Sequence, residues 1–166
     1  MAEVGNAGER AVQDACRGRV LWNTTTRAED SAGVDLKVHR GSKPAPLQIK
    51  ATEKGEGSLA FSCKSSTLYL EYLCIGISIV FAFPGAEGKW SFGFVRGGDS
   101  AAAADFNVQC YKRSRAVLVE LLRAKYQLFD GVNAASELGD CLRSLASNPP
   151  AAVPPRRSAR LRAEPY

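Results

Sequence analysis

The sequence predicts an α/β domain, a mixed central β-sheet flanked by helices. Three observations predict it. Within residues 33–52, two short runs alternate polar with apolar residues and are joined by turn formers, the pattern of a hairpin with one buried face. Residues 74–83 are β-branched and aromatic, as in a strand covered on both sides. Segments toward both ends of the chain carry apolar residues at helical spacing.

Taken in order, residues 6–17 read as a helix with Ala7, Ala11, Val12, Ala15 and Cys16 as its apolar stripe and Gly18 as its stop. Glu9 lies beside that stripe. Val20-Leu21-Trp22 reads as a short strand entering a polar loop, residues 23–32. The hairpin follows: Gly33-Val34-Asp35-Leu36-Lys37-Val38, the turn Arg40-Gly41-Ser42-Lys43-Pro44, then Pro46-Leu47-Gln48-Ile49-Lys50-Ala51-Thr52. Successive strand side chains point to opposite faces, so Asp35 and Lys37 share one face and Gln48 and Lys50 share another. Leu36, Val38, Leu47 and Ile49 are the core-directed set.

Residues 52–58 read as a glycine-rich charged loop and Leu59-Ala60-Phe61 as an edge strand, while 65–72 fit helix or strand. Residues 74–83, with Ile75, Ile77, Ile79 and Val80, form the buried central strand; after a turn at 84–88, WSFGFV makes its partner. Residues 96–104 form a loop of small residues. Residues 114–126 form an amphipathic helix with Val117, Leu118, Leu121 and Leu122 on its apolar face, and 134–146 form another. From residue 147 the composition changes: five of the eight prolines and Arg156, Arg157, Arg160 and Arg162 fall here, and such a segment builds no packed core. The expected organisation is one domain over 1–146 and a disordered basic tail over 147–166.

The formal charge of +5 suits a polyanionic partner. His39 is the single histidine, which excludes zinc-finger and HExxH schemes that need at least two. Five scattered cysteines with no Cys-x-x-Cys pair read as small buried hydrophobes kept reduced. The start, Met-Ala-Glu-Val-Gly-Asn, lacks a secretory layout, and Glu71 interrupts the most apolar stretch, 68–83, so no membrane anchor is expected. The expected location is intracellular, cytoplasmic or nuclear.

A helix carrying Glu9, a strand carrying Asp35 and a next strand carrying Gln48-x-Lys50 together resemble the PD-(D/E)XK nuclease superfamily, the restriction-endonuclease-like fold. The resemblance covers about residues 5–95 by order of elements and 33–52 by motif, and lies nearest the Mrr-like and resolvase-like branch with glutamine at the second acid. It implies a metal-dependent endonuclease domain hydrolysing phosphodiester bonds in DNA with Mg²⁺ or Mn²⁺. Asp35 would be the metal ligand, Gln48 (or the Ile49 carbonyl) an auxiliary ligand, Lys50 the group that orients water and stabilises developing charge, and Glu9 an outer carboxylate. Lys37 and Thr52 would contact substrate. Many enzymes of this fold work as dimers, so a homodimer is open.

These residue types suit the chemistry. Mg²⁺ takes oxygen ligands, commonly one or two carboxylates with waters and substrate phosphate. Glutamine is neutral, so this set has one fixed negative charge fewer than the fullest family pattern, and Val34 stands where a proline precedes the acid. A second reading from another class is a catalytically inactive module of the same fold that binds nucleic acid or protein. The plainer reading of Asp35 is a strand-end hydrogen-bond acceptor, and of Gln48 and Lys50 the solvated face of a hairpin.

Overall fold

The computed structural model describes residues 2–24, 26–28, 34–41, 43–51, 72–85, 88–99, 101, 102, 105 and 115–151. Helix α1 spans Ala2–Cys16 and buries Val12, Ala15 and Cys16, three of the stripe residues. It ends where the sequence places a stop. Gly18 takes φ 74°, and the N–H groups of Arg19 and Val20 both turn back to the Cys16 carbonyl at 3.0 Å.

Six strands follow: β1 (Leu21–Thr24), β2 (Leu36–His39), β3 (Ala45–Ala51), β4 (Ser78–Pro84), β5 (Trp90–Val95) and β6 (Gln127–Phe129). Their spatial order is their chain order. All neighbouring pairs are antiparallel except β3–β4, which is parallel, so the sheet is mixed. Two helices lie between or after the last strands, α2 (Arg115–Lys125) and α3 (Ala134–Ser147).

The hairpin alternation holds. Leu36, Val38, Leu47 and Ile49 are buried in one cluster with Val80, Ala82, Phe92 and Phe94, under Val12, Ala15 and Cys16 of α1 and Leu138, Leu142 and Leu145 of α3. Ile79, Phe81, Phe83 and Val95 point the other way and meet Leu118 and Leu122 of α2. Full burial of each such leucine or phenylalanine is worth roughly 1.5–3 kcal/mol. Helices thus cover both faces, and β4, buried along almost its whole length, is the double-sided strand that its composition predicts.

Two expectations need correction, and one strand is additional. The strand expected from residue 74 begins at Ser78, because Tyr72–Cys74 is a helical turn. The Gly76 N–H bonds the Leu73 carbonyl at 3.2 Å and the Ile77 N–H bonds the Tyr72 carbonyl at 2.9 Å, and only a residue tolerant of φ 90°, Gly76, turns the chain into β4. Val117, expected on the apolar face of α2, is 44% exposed, while Leu118 and Leu122 one position on carry the burial. The edge strand β6 had no expectation at all: its three residues pair with Phe92, Gly93 and Phe94 of β5.

Helix α3 runs to Ser147 and the described chain continues to Ala151, with the Asn148 carbonyl accepting from Arg96 Nη2 at 2.5 Å. The expected edge strand at 59–61, the undecided stretch before Tyr72 and residues 152–166 of the expected tail lie outside the described residues. No helix among the described residues is long and apolar enough to cross a membrane.

Candidate active site

Asp35 stands immediately before β2, half-buried. The pairing of Leu36 with Leu47 would, continued by two residues, bring Val34 opposite Ile49. The Ile49 N–H instead donates to Asp35 Oδ2 at 2.8 Å, while the Asp35 N–H donates to the Leu47 carbonyl at 2.8 Å. The carboxylate therefore takes the place of a main-chain acceptor where the ladder stops, and two bonds fix Asp35 to β3. A bond to an ionised acceptor is roughly twice as strong as a neutral one. A carboxylate offers about four acceptor positions.

Gln48 and Lys50 flank the residue that holds Asp35. Gln48 is paired with Ile79 and Lys50 with Phe81, whose side chains belong to the α2 cluster, so both point to that side of the sheet. Gln48 is 7% exposed, and its Nε2 lies 3.4 Å from the Ile49 carbonyl, a long hydrogen bond. Lys50 is half-buried. Lys37, also half-buried, sits opposite Pro46 on the face that alternation assigns to Asp35. Gln48, Lys50 and Lys37 thus share one side of neighbouring strands, and the Asp35 carboxylate reaches the Ile49 N–H between Gln48 and Lys50.

Glu9 is placed differently. Helix α1 packs on the opposite face, with Leu47 and Ile49 rather than Gln48 and Lys50 beneath it. Gly8 brings the helix down at the far end of β3: a Cβ there would fall on the Ala51 Cβ, well inside contact distance. Glu9, half-buried, follows Gly8 at the level of Ala51, one residue beyond Lys50. Thr52 lies outside the described residues.

The donors offered, a carboxylate, an amide and a main-chain carbonyl, are all oxygen and fit a hard divalent cation. Among the described residues no three His, Cys, Asp or Glu side chains gather to hold a metal ion. The set here has two side chains of those kinds, Asp35 and Glu9. What sequence reasoning did not supply is the Ile49 N–H, a main-chain group with no residue signature.

The remaining candidates are inert or structural. Cys16 and Cys74 are buried, and burial pushes the Cys16 thiol up to about 12 and the Cys141 thiol up to about 11, which keeps those two thiols protonated at neutral pH. Cys63 and Cys110 lie outside the described residues. The His39 ring Nε2 bonds Asn23 Oδ1 across the exposed β1–β2 pair.

Comparison of the chain with protein-family models, with curated proteins and with solved structures gives no match.

Proposed function

We propose that this domain is a Mg²⁺- or Mn²⁺-dependent endonuclease that hydrolyses phosphodiester bonds in DNA, with a restriction-endonuclease-like core. The observation that carries the reading is the Ile49 N–H bond to the Asp35 carboxylate, which fixes that acid beside Gln48 and Lys50. The chain order also supports it: Glu9 on α1, Asp35 before β2, then Gln48 and Lys50 on the antiparallel β3.

In this reading Asp35 and the Gln48 amide oxygen hold the cation, with Glu9 outside them. When bound, the cation supplies Lewis acidity toward the scissile phosphate and toward water. Asp35 is oriented by the main chain, so its carboxylate needs little reorganisation. The Lys50 ammonium orients the attacking water and faces the charge that builds on the phosphorus oxygens. Lys37 and Thr52 steady the substrate backbone.

The test is cleavage of supercoiled plasmid with Mg²⁺ or Mn²⁺, with EDTA and Lys50→Ala protein in parallel. Metal-dependent nicking that the variant loses is the expected result. Nicking that survives Lys50→Ala, or none from the wild type on plasmid or branched DNA, overturns the reading.

Two contacts favour a second reading, a non-catalytic binding module. Asp35 closes the β2–β3 ladder and Gln48 approaches its own strand's carbonyl, roles that need no metal. That module binds nucleic acid or protein equally well in EDTA and retains binding in Asp35→Asn.

A further inference from the structure

The β2–β3 hairpin has two ends. Asp35 and Lys50 lie at the open end, and Arg40 and Lys43 at the turn, roughly 20 Å away along the seven residues of β3. Arg40 is exposed and donates from Nη1 to Ser147 Oγ at 3.0 Å, which holds its side chain against the end of α3. It stands between two hollows. One of about 330 Å³ is shared with Arg19 at the end of α1, and the other, of about 540 Å³, with Lys43 and Pro149.

Positive charge is concentrated around these hollows. Arg17 pairs with Asp14 at 3.3 Å, and Arg19 and Arg143 share Asp140 at 3.2 and 3.3 Å. Two guanidiniums on one carboxylate leave a surplus. Among the described residues no carboxylate lies within ion-pair distance of Arg40 or Lys43. Of these seven charged side chains, five are cations and two are carboxylates.

We propose that the turn end, centred on Arg40 and Lys43, is a metal-independent anchoring surface for the phosphate backbone of a nucleic-acid strand. Guanidinium forks match phosphate oxygens, and the surplus charge gains from counterion release when phosphates are neutralised. Shallow hollows flank Arg40 on both sides. The surface's large exposed apolar side chain is Leu21, whereas a helix that lies in a membrane interface presents a whole apolar face.

The proposal goes beyond the hydrolytic reading and does not depend on it. Binding is read in EDTA, so its failure leaves the assignment of Asp35 and Lys50 untouched. The experiment is fluorescence anisotropy of a labelled mixed-sequence single-stranded oligonucleotide of ~20 nucleotides, titrated with full-length protein across a salt series. The double variant Arg40→Ala/Lys43→Ala is expected to bind at least ~10-fold more weakly and to lower the salt slope by about 1.4, two phosphates' worth. Lys43→Ala alone, which disturbs no hydrogen bond described above, is expected to lose at least ~3-fold. Arg10→Ala/Lys89→Ala removes the same charge from the groove between α1 and the β4–β5 turn and is expected to stay within ~2-fold. Equal loss in both double variants reduces the effect to net charge and overturns the proposal. So does unchanged binding in Arg40→Ala/Lys43→Ala, the absence of oligonucleotide binding by the wild type, or binding only to phosphatidylserine vesicles.

Discussion

The Asp35 carboxylate accepts the Ile49 main-chain N–H at 2.8 Å, so one side chain both closes a strand ladder and anchors the candidate site. The two duties separate experimentally. Asp35→Ala leaves a part-buried N–H without its acceptor and is expected to cost about 1–3 kcal/mol in urea unfolding. Asp35→Asn keeps an acceptor and is expected to cost less than half as much. If Asp35 also acts in hydrolysis, both variants lose plasmid nicking, whatever their stability.

Gln48 gives a metal-specific prediction. It is buried, and a carboxylate in its place carries a desolvation cost unless a cation neutralises it. Gln48→Glu is expected to melt below the wild type in EDTA and to recover more than the wild type does on addition of Mn²⁺. Thermal scans with and without the metal read this independently of activity. An equal Mn²⁺ response in the two proteins removes Gln48 from the proposed ligand set.

Gly8 and Gly93 look alike in sequence and differ in what surrounds them. A Cβ at Gly8 falls on the Ala51 Cβ, which has no rotamer to yield, whereas at Gly93 it meets the terminal methyls of Leu122. Gly8→Ala is therefore expected to push α1 off β3 and destabilise by about 1–3 kcal/mol, as overpacking does. Gly93→Ala is expected to cost less, since Leu122 can change rotamer. Urea unfolding of the two variants ranks them.

The buried thiols make stability fall at alkaline pH. Burial raises Cys16 to about 12 and Cys141 to about 11, although Arg96 pulls Cys141 partly back; the ordinary value is 9.0. The unfolded chain loses these protons first. Their contribution is complete below pH 9 and drains away as pH climbs toward 11 and 12. Cys16→Ala loses core packing at every pH but lacks this ionisation. The stability gap between wild type and Cys16→Ala is expected to narrow from about pH 8 to about pH 10.5 in urea unfolding.

Strong alternation made the hairpin readable: Leu36, Val38, Leu47 and Ile49 could share a buried face only with Asp35, Lys37, Gln48 and Lys50 on the other. The strand at 90–95 was equally legible because WSFGFV packs on both sides. Residues 74–77 misled because apolar composition suits a buried helical turn as well as a strand, and only Gly76 hints at the break. β6 is too short to show any period and exists because β5 offers it an edge. The sequence identified a helix around Glu9 but held no information about which face of the sheet that helix covers. That depends on Gly8 meeting Ala51, a contact between elements more than forty residues apart in the chain.

The single parallel pairing has a kinetic meaning. Strands β1–β3 pair antiparallel among themselves, as do β4–β6, and β3–β4 is the seam that joins the two sets. Closing that seam brings together segments separated by the 26 residues from 52 to 77, and loop closure of this kind is entropically slow compared with hairpin formation. Helix α3 follows the last strand and packs on α1, β2 and β5, so the apolar face common to both sets is complete only when they have met. The β5–β6 pairing, across the 31 residues from 96 to 126, is under the same constraint, and closure of the seam is expected to follow formation of the β2–β3 and β4–β5 hairpins. A backbone cut within 52–71 would turn that step into a bimolecular association whose rate rises with concentration.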